Sequence, residues 1–449
     1  MINARFVSAA LASFGLLALS ASAAELTNAK PVTFTKDIAP ILQEKCQDCH
    51  HKGTAAPMSL VTYEETRPWA KSIKARVVAR NMPPWHIDPT VGIQKFKNDM
   101  SLSEEQIAMI ARWVDSGAPM GDAKDMPVAK VFPPNDTWLL EKQFGKPDLI
   151  IESDPYTMPA KSQDQWWRPL TTINVDEPRW ARAVEMRPAS DAGRKITHHA
   201  IAHLVQHDPS APELNDGLGQ RSPDEAGQLM EWAVGKNYDI FDEGTGKLIL
   251  PGSHVWWDIH YHAVGEQIRD HVQLAVWLYP KGQEPKHRTL LTGFQGTDGG
   301  RLDLEPNKVT ESNGYTVLRS ASCFGNFQPH MHLRGKAMAI EAILPDGGIQ
   351  EISYVDKFNF NWMTNYIYAD DAAPCFPKGT IVHVTAWHDN TAANPNNPDA
   401  RQWVGYGDRT VDEMAHAWVN VTSISDDEYA EWAKTHKRET LGGRRQAAN

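Results

Sequence analysis

HVWWDIHYH, residues 254–262, sets Val255, Trp257, Ile259 and Tyr261 against His254, Trp256, Asp258 and His260. Successive side chains of a β-strand point to opposite faces, so a period of two reads as a strand with one face buried. Similar short apolar or alternating runs recur downstream of Asp148: DLIIES (148–153), HAIAHLVQ (199–206), VQLAVWLYP (272–280), YTVLRSAS (315–322), MAIEAILP (338–345), TIVHVTAWHD (380–389) and HAWVNVTS (416–423). Turn-forming clusters such as GTDGG, LPDGG and NPNNPD separate them. Many short strands punctuated by turns indicate antiparallel sandwiches rather than βαβ units. The stretch is long for one sandwich, so two are expected, over 147–300 and 301–425, closed by a polar helix and tail over 426–449.

The chain has 449 residues and a formal net charge of −11. That balance argues against nucleic acid or anionic lipid as a partner. The first 23 residues contain Arg5, an apolar stretch and the small-residue pattern Ala21-Ser22-Ala23. They read as a secretory signal peptide, too short to persist as a span; no later run approaches the ~20 apolar residues of a membrane helix. The expected location is periplasmic or secreted. Four cysteines are present. An oxidising compartment makes a disulfide between Cys323 and Cys375 plausible, with two separate buried thiols as the alternative.

Cys46-Gln-Asp-Cys49-His50 is a C-x-x-C-H motif, the pattern of covalent haem c attachment: two thiols add to the vinyl groups, and the adjacent His50 is carried beneath the iron. Helical patterns surround it over Thr35–Glu44, Thr66–Arg80 and from the capping pair Ser103/Gln106 to Gly117. This small all-α region, 32–122, resembles a class I cytochrome c, followed by a Pro- and Asp-rich linker over 123–146. Met82, on a Pro-stiffened loop, is the choice for sixth iron ligand, with Met58, His51 and His86 as competitors.

The clustered histidines fall in four places: His198, His199 and His203; His260 and His262; His330 and His332 in QPHMHLRG; and His416 beside Met414. An H-x-H on a strand turns both imidazoles to one side, so each such pair can converge on one metal, while the intervening Met331 faces the core. Imidazole suits copper, zinc, iron or nickel; a thioether selects copper, particularly Cu(I). His207, His254, His271, His287, His383 and His436 read as ordinary polar residues.

The ordered set His-His, H-Y, H-x-H and D-E-M resembles the copper type II monooxygenases, the group of dopamine β-monooxygenase and peptidylglycine α-hydroxylating monooxygenase. It covers roughly 148–425. The resemblance implies two jelly-roll-like sandwiches, each binding one copper across a solvent-filled cleft. It implies that His198, His199 and His260 hold an electron-transfer copper, and that His330, His332 and Met414 hold the copper where oxygen is activated. The chain departs from the animal enzymes in lacking their disulfide-rich cores and in carrying the extra His203 and His262. His388, in the loop WHDNTAANPNNPD, is a candidate supporting group, or else part of a turn held by Asn and Pro. Tryptophans 166–167, 256–257 and 362 either line an apolar cleft or pack the core. The expected function is O2-dependent hydroxylation of a small-molecule C–H bond, with two coppers and one haem c, and a redox partner donating to the haem. The alternatives are a non-catalytic periplasmic copper-binding or electron-transfer protein, and a cytochrome tethered to binding modules.

Overall fold

A computed structural model describes residues 31–52, 54, 56–132, 137–208 and 225–436. The segment 1–23 read as a signal peptide lies outside the described residues, as does the end of the tail from 437. The chain divides into two compact units, one formed by residues up to Pro83 and Leu102–Phe132, the other by Pro84–Ser101 and the residues from Pro133 on.

The first unit is helical. A π-helical turn, Phe34–Ile38, runs into the helix Ala39–Lys45, where Pro40 sits in the first turn as its missing N–H requires. Tyr63–Thr66 begins at a capping box of Thr62 and Glu65 and continues through Arg67–Trp69 into Ala70–Val78. Glu104–Asp115 starts at the expected capping box, with Ser103 and Gln106 satisfying each other's backbone N–H. Phe34, Ile38, Leu42, Ile73, Val77, Ile110 and Trp113 form the core, and Cys46 and Met58 pack against it.

The second unit is built of β-sheet around two apolar cores. One core gathers Val184, Met186, Ala200, Trp257, Ile259 and Leu274. It lies among strands that include Leu149–Glu152, Arg179–Pro188, Thr197–Val205, Glu225–Ala233, His254–Tyr261 and Val272–Leu278. The other core gathers Phe294, Phe327, Met331, Met338, Ile340, Val382, Val384 and Ala417. An antiparallel sheet of four strands lies here, in the order Val309–Val317, Ile381–Asp389, Gly335–Ile343, Ile349–Val355. Burying about 25 cal/mol per Å2 of apolar surface, these cores are the main stabilising element of the unit.

Hydrogen bonding does not stop at the expected border near 300. The strand His287–Gln295 pairs with His416–Ile424 along its length, and Leu291 also pairs with Gln228 of the first set. His416–Ile424 in turn pairs with Ala321–Phe324 and Asn326–His330. Two further boundaries differ from expectation. Pro84–Ser101 belongs to the β unit, where Ile87 bridges to Val355 and Phe96 to Tyr368. The later part of the expected linker is built in: Trp138 and Leu140 are buried with Trp277, and the Leu139 and Leu140 N–H groups donate to the Glu185 carboxylate. Cys323 and Cys375 face each other across antiparallel strands and form a disulfide.

Candidate metal centre

His198 and His199 are neighbours on one strand, which ordinarily sends side chains to opposite faces. A β-bulge resolves this. Opposite them on the strand His254–Tyr261, His260 pairs with His199 and Tyr261 pairs with Thr197, which leaves His198 as the extra residue. A bulge re-aims one side chain, and both imidazoles reach the same point as His260. Among the described residues, His198, His199 and His260 form a group whose donor atoms all lie within 4.8 Å of one another. The Nδ1 atoms of His198 and His199 are 3.1 Å apart. His260 contacts Asp164 Oδ2 through Nε2 at 3.0 Å, while its buried Nδ1 has no partner. A carboxylate on one ring nitrogen fixes the tautomer and leaves the other nitrogen as the metal donor. The ring of Trp166 stacks on His260 at 4.5 Å.

Electrostatics agree with a cation site. Burial, then the neighbouring imidazoles, pulls His198 down to about 3 and His199 well below its ordinary value. Burial and mutual repulsion disfavour the cationic form of all three imidazoles, which favours neutral rings with nitrogen lone pairs.

The second group forms where the strand Asn326–His330 ends. His330 is its last residue, and His332 lies past it, before the next strand starts at Gly335. The expected regular H-x-H strand face is therefore not the geometry found. The rings nevertheless lie 5.4 Å apart, edge to face, and Met331 is buried in the core. His330 and His332 are 8% and 5% exposed, and burial pulls both below the ordinary imidazole value. His416 pairs with His330 across the strands, their rings 6.1 Å apart, and its buried Nε2 lacks a partner.

Residues 411–414 hold this group. The Glu413 carboxylate accepts the backbone N–H of His332 at 2.9 Å and of Arg334 at 2.6 Å. His332 Nδ1 contacts the Asp412 carbonyl at 3.0 Å, leaving Nε2 as its free donor. Arg334 donates to Asn390 Oδ1 and the Val411 carbonyl. His388 Nε2 donates to the Met414 carbonyl at 3.0 Å, so the backbone of Met414 belongs to the same network; its side chain is half-buried. Asn390, in the loop after His388, also ties down Glu305 and Gln402. His388 itself lies on the strand Ile381–Asp389, and the loop that follows it is a turn held by Asn390. Gly335 allows close packing here, since a Cβ would stand 2.6 Å from that of Met331.

Other histidines separate from these groups. The His262 ring is 6.5 Å from His198, outside the tight group. The His203 ring lies against Trp256, tilted by 37° at 4.8 Å. His383 contacts Glu341 and Asn313, and His287 contacts Glu428. Trp257 is core, its indole N–H donating to Thr171.

In the helical unit, Cys49 and His50 continue the turn from Cys46 through backbone bonds to its carbonyl. His50 Nδ1 contacts the Met58 carbonyl at 3.2 Å, leaving Nε2 open. Cys46 packs against the helical core and Cys49 is exposed. His51 is engaged by the Gln47 carbonyl and stacks on Phe132. Met82 is half-buried, and His86 lies in the β unit, where its N–H donates to the Tyr366 hydroxyl.

Asp164 and Glu231 were not found by sequence reasoning. Glu231, fully buried, stands 3.9 Å from His330 Nδ1 and accepts from Gln328. Neither lies in a local motif with its histidine. Glu413 stood inside the D-E-M motif, but only Met414 was assigned a role.

No protein-family model matches the sequence, and no curated protein matches it. Among solved structures the chain is similar to Broad Bean Stain Virus (10% identity, 62% of this chain and 79% of that one, TM-score 0.23). It is also similar to an infectious bursal disease virus VP2 subviral particle (12% identity, 64% and 74%, TM-score 0.16). A third is a Paenibacillus xanthan lyase (9% identity, 66% and 28%, TM-score 0.15). Likeness at this level carries no argument about function.

Proposed function

We propose that the chain is an exported copper- and haem-containing oxidoreductase that hydroxylates a C–H bond of a small molecule with O2. The observation that carries the reading is the convergence of His198, His199 and His260, with a second histidine pair braced in the same unit. What supports copper is the donor set: buried imidazoles, an orphaned Nδ1 on His260, and the thioether of Met414, whose carbonyl accepts from His388 and which follows Glu413, the acceptor of the His332 N–H. When bound, copper at His330, His332 and Met414 supplies the one-electron chemistry and the position where O2 is activated.

The chain's own residues set the conditions. Asp164 orients His260, and Glu413 and the Asp412 carbonyl orient His332, so that little reorganisation is needed when charge changes. Burial of His330 and His332 keeps water from them. Cys46 and Cys49 would attach one haem c, with His50 as proximal ligand and Met82 as the sixth. The contact of His50 Nδ1 with a carbonyl suits it to that role. A redox partner would donate to the haem. The signal-peptide pattern and the Cys323–Cys375 disulfide support a periplasmic or secreted setting. Among the described residues no helix is long and apolar enough to cross a membrane, and the acidic balance supports no nucleic-acid partner.

The depth of His330 and His332 favours one second reading, a non-catalytic periplasmic copper-binding or electron-transfer protein. The test is anaerobic reduction of copper-loaded protein, addition of O2, and observation of haem reoxidation. The expected result is faster reoxidation than in the apo form, lost in Met414→Ala. Copper that binds without altering the reaction with O2 would leave the electron-transfer reading.

A further inference from the structure

We propose that Trp166 is a positioning residue for the first histidine group: it fixes the plane of the His260 ring and keeps water off one face of it, which raises the preference of that group for reduced copper. This deepens the copper reading above and rests on it. Trp166 and His260 stand directly opposite each other on antiparallel strands. Cross-strand partners share a sheet face. Here the two rings are 4.5 Å apart between centroids, with planes 10° from parallel. His260 is buried, and the indole covers it on that side.

Two contacts constrain the imidazole in different ways. Asp164 Oδ2 contacts Nε2 at 3.0 Å and holds the far end of the ring. A contact at the tip leaves the ring free to rotate about its own long axis. A face-to-face neighbour removes that freedom, because rotation lifts one edge off the indole and drives the other into it. With both contacts in place, the unpartnered Nδ1 of His260 keeps one direction. The ring centroids of His198 and His199 lie 5.0 and 5.1 Å from that of His260, so a small rotation there changes the geometry of the whole group.

The strand that carries Trp166 is itself pinned. Gln165–Trp167 is three residues long and stands at the end of the sheet order. Trp167, on the opposite face, packs against the first apolar core and donates its indole N–H to the Asp154 carbonyl at 2.9 Å. Arg168 pairs at 3.1 Å with Asp258, which lies on the strand of His260. Alternation therefore divides the adjacent tryptophans: Trp167 anchors the strand and Trp166 faces the histidine.

The sign of the effect follows from charge. Cu(II) carries one more positive charge than Cu(I), and a dry apolar neighbour favours the lower charge. Without the indole, water reaches the face of the His260 ring and stabilises Cu(II). Trp166 touches the ligand and offers no lone pair of its own to a metal.

The test uses the full chain with His330 and His332 replaced by alanine, so that the first group alone is read. The Cu(II) EPR signal is followed through a redox titration, with metal analysis, in this parent and in its Trp166→Phe, Trp166→Leu and Trp166→Ala forms. All are expected to hold one copper per chain. Trp166→Ala and Trp166→Leu should shift the Cu(I)/Cu(II) ratio about tenfold toward Cu(II), a potential lower by about 59 mV for one electron. Trp166→Phe keeps a flat face and should restore the ratio of the parent. Trp166→Leu keeps apolar bulk without that face, and it decides the matter if the Ala variant does not fold. One copper per chain with an unshifted ratio in Trp166→Leu would overturn the positioning role. A parent that holds no copper would overturn the copper reading itself.

Discussion

Asp164 and Glu413 act on two different histidines by the same physics. Each carboxylate fixes the orientation of a group it does not replace as a donor. Asp164→Ala removes the partner of His260 Nε2, and outer-sphere partners of this kind are worth about 10–100-fold in metal affinity. Competition with a copper chelator should show that loss at one site while the other is unchanged. Glu413→Ala leaves the N–H groups of His332 and Arg334 without an acceptor in a buried setting. An orphaned buried group costs about 1–3 kcal/mol, so the urea midpoint of the apo-protein should fall accordingly. Burial pushes the Glu413 carboxyl up to about 7 even with these donors.

At the scale of elements, the strands were legible and their joints were not. HVWWDIHYH and the other alternating runs became strands because their pattern matches one buried face. The strand His287–Gln295 escaped notice because it is buried along nearly its whole length, and a strand covered on both faces loses its period of two. The bulge at His198 depends on register with a partner about sixty residues away, which local spacing does not encode. So the histidine pair could be read from sequence, but not the way it turns both rings inward. Asp164 is 96 residues from His260 and belongs to no motif. The Cys323–Cys375 disulfide fixes a short strand to the edge that carries His416–Ile424. Replacing both cysteines with serine should lower stability by about 2–5 kcal/mol, read as a shift in the denaturant midpoint under non-reducing conditions.

For the molecule as a whole, stability should depend on pH through a buried lysine. Lys247 donates to the Gln228 and Leu229 carbonyls at 2.8 Å each, and burial pulls its ammonium down from 10.5 to about 7. Nearby Lys236 adds to the effect and Asp239 opposes it. Below about pH 7 both folded and unfolded chains hold the proton, and the burial penalty is fully present. Between about 7 and 10.5 the unfolded chain binds more protons than the folded one, so this group makes stability rise with pH, by at most about 1.4 kcal/mol per unit. Urea titrations at pH 7 and pH 9 should show the rise, and Lys247→Met should flatten it.

The β unit joins two apolar cores by one hydrogen-bonded path and carries two buried histidine groups, and the proposed function gives each group one copper. The most direct measurement is the number of coppers retained per chain after loading and gel filtration. The wild type should retain two, a variant with His198, His199 and His260 replaced by alanine one, and a variant with His330 and His332 replaced by alanine one. A wild-type count below two, or a count that neither set of replacements changes, would contradict the assignment of these residues as two copper sites.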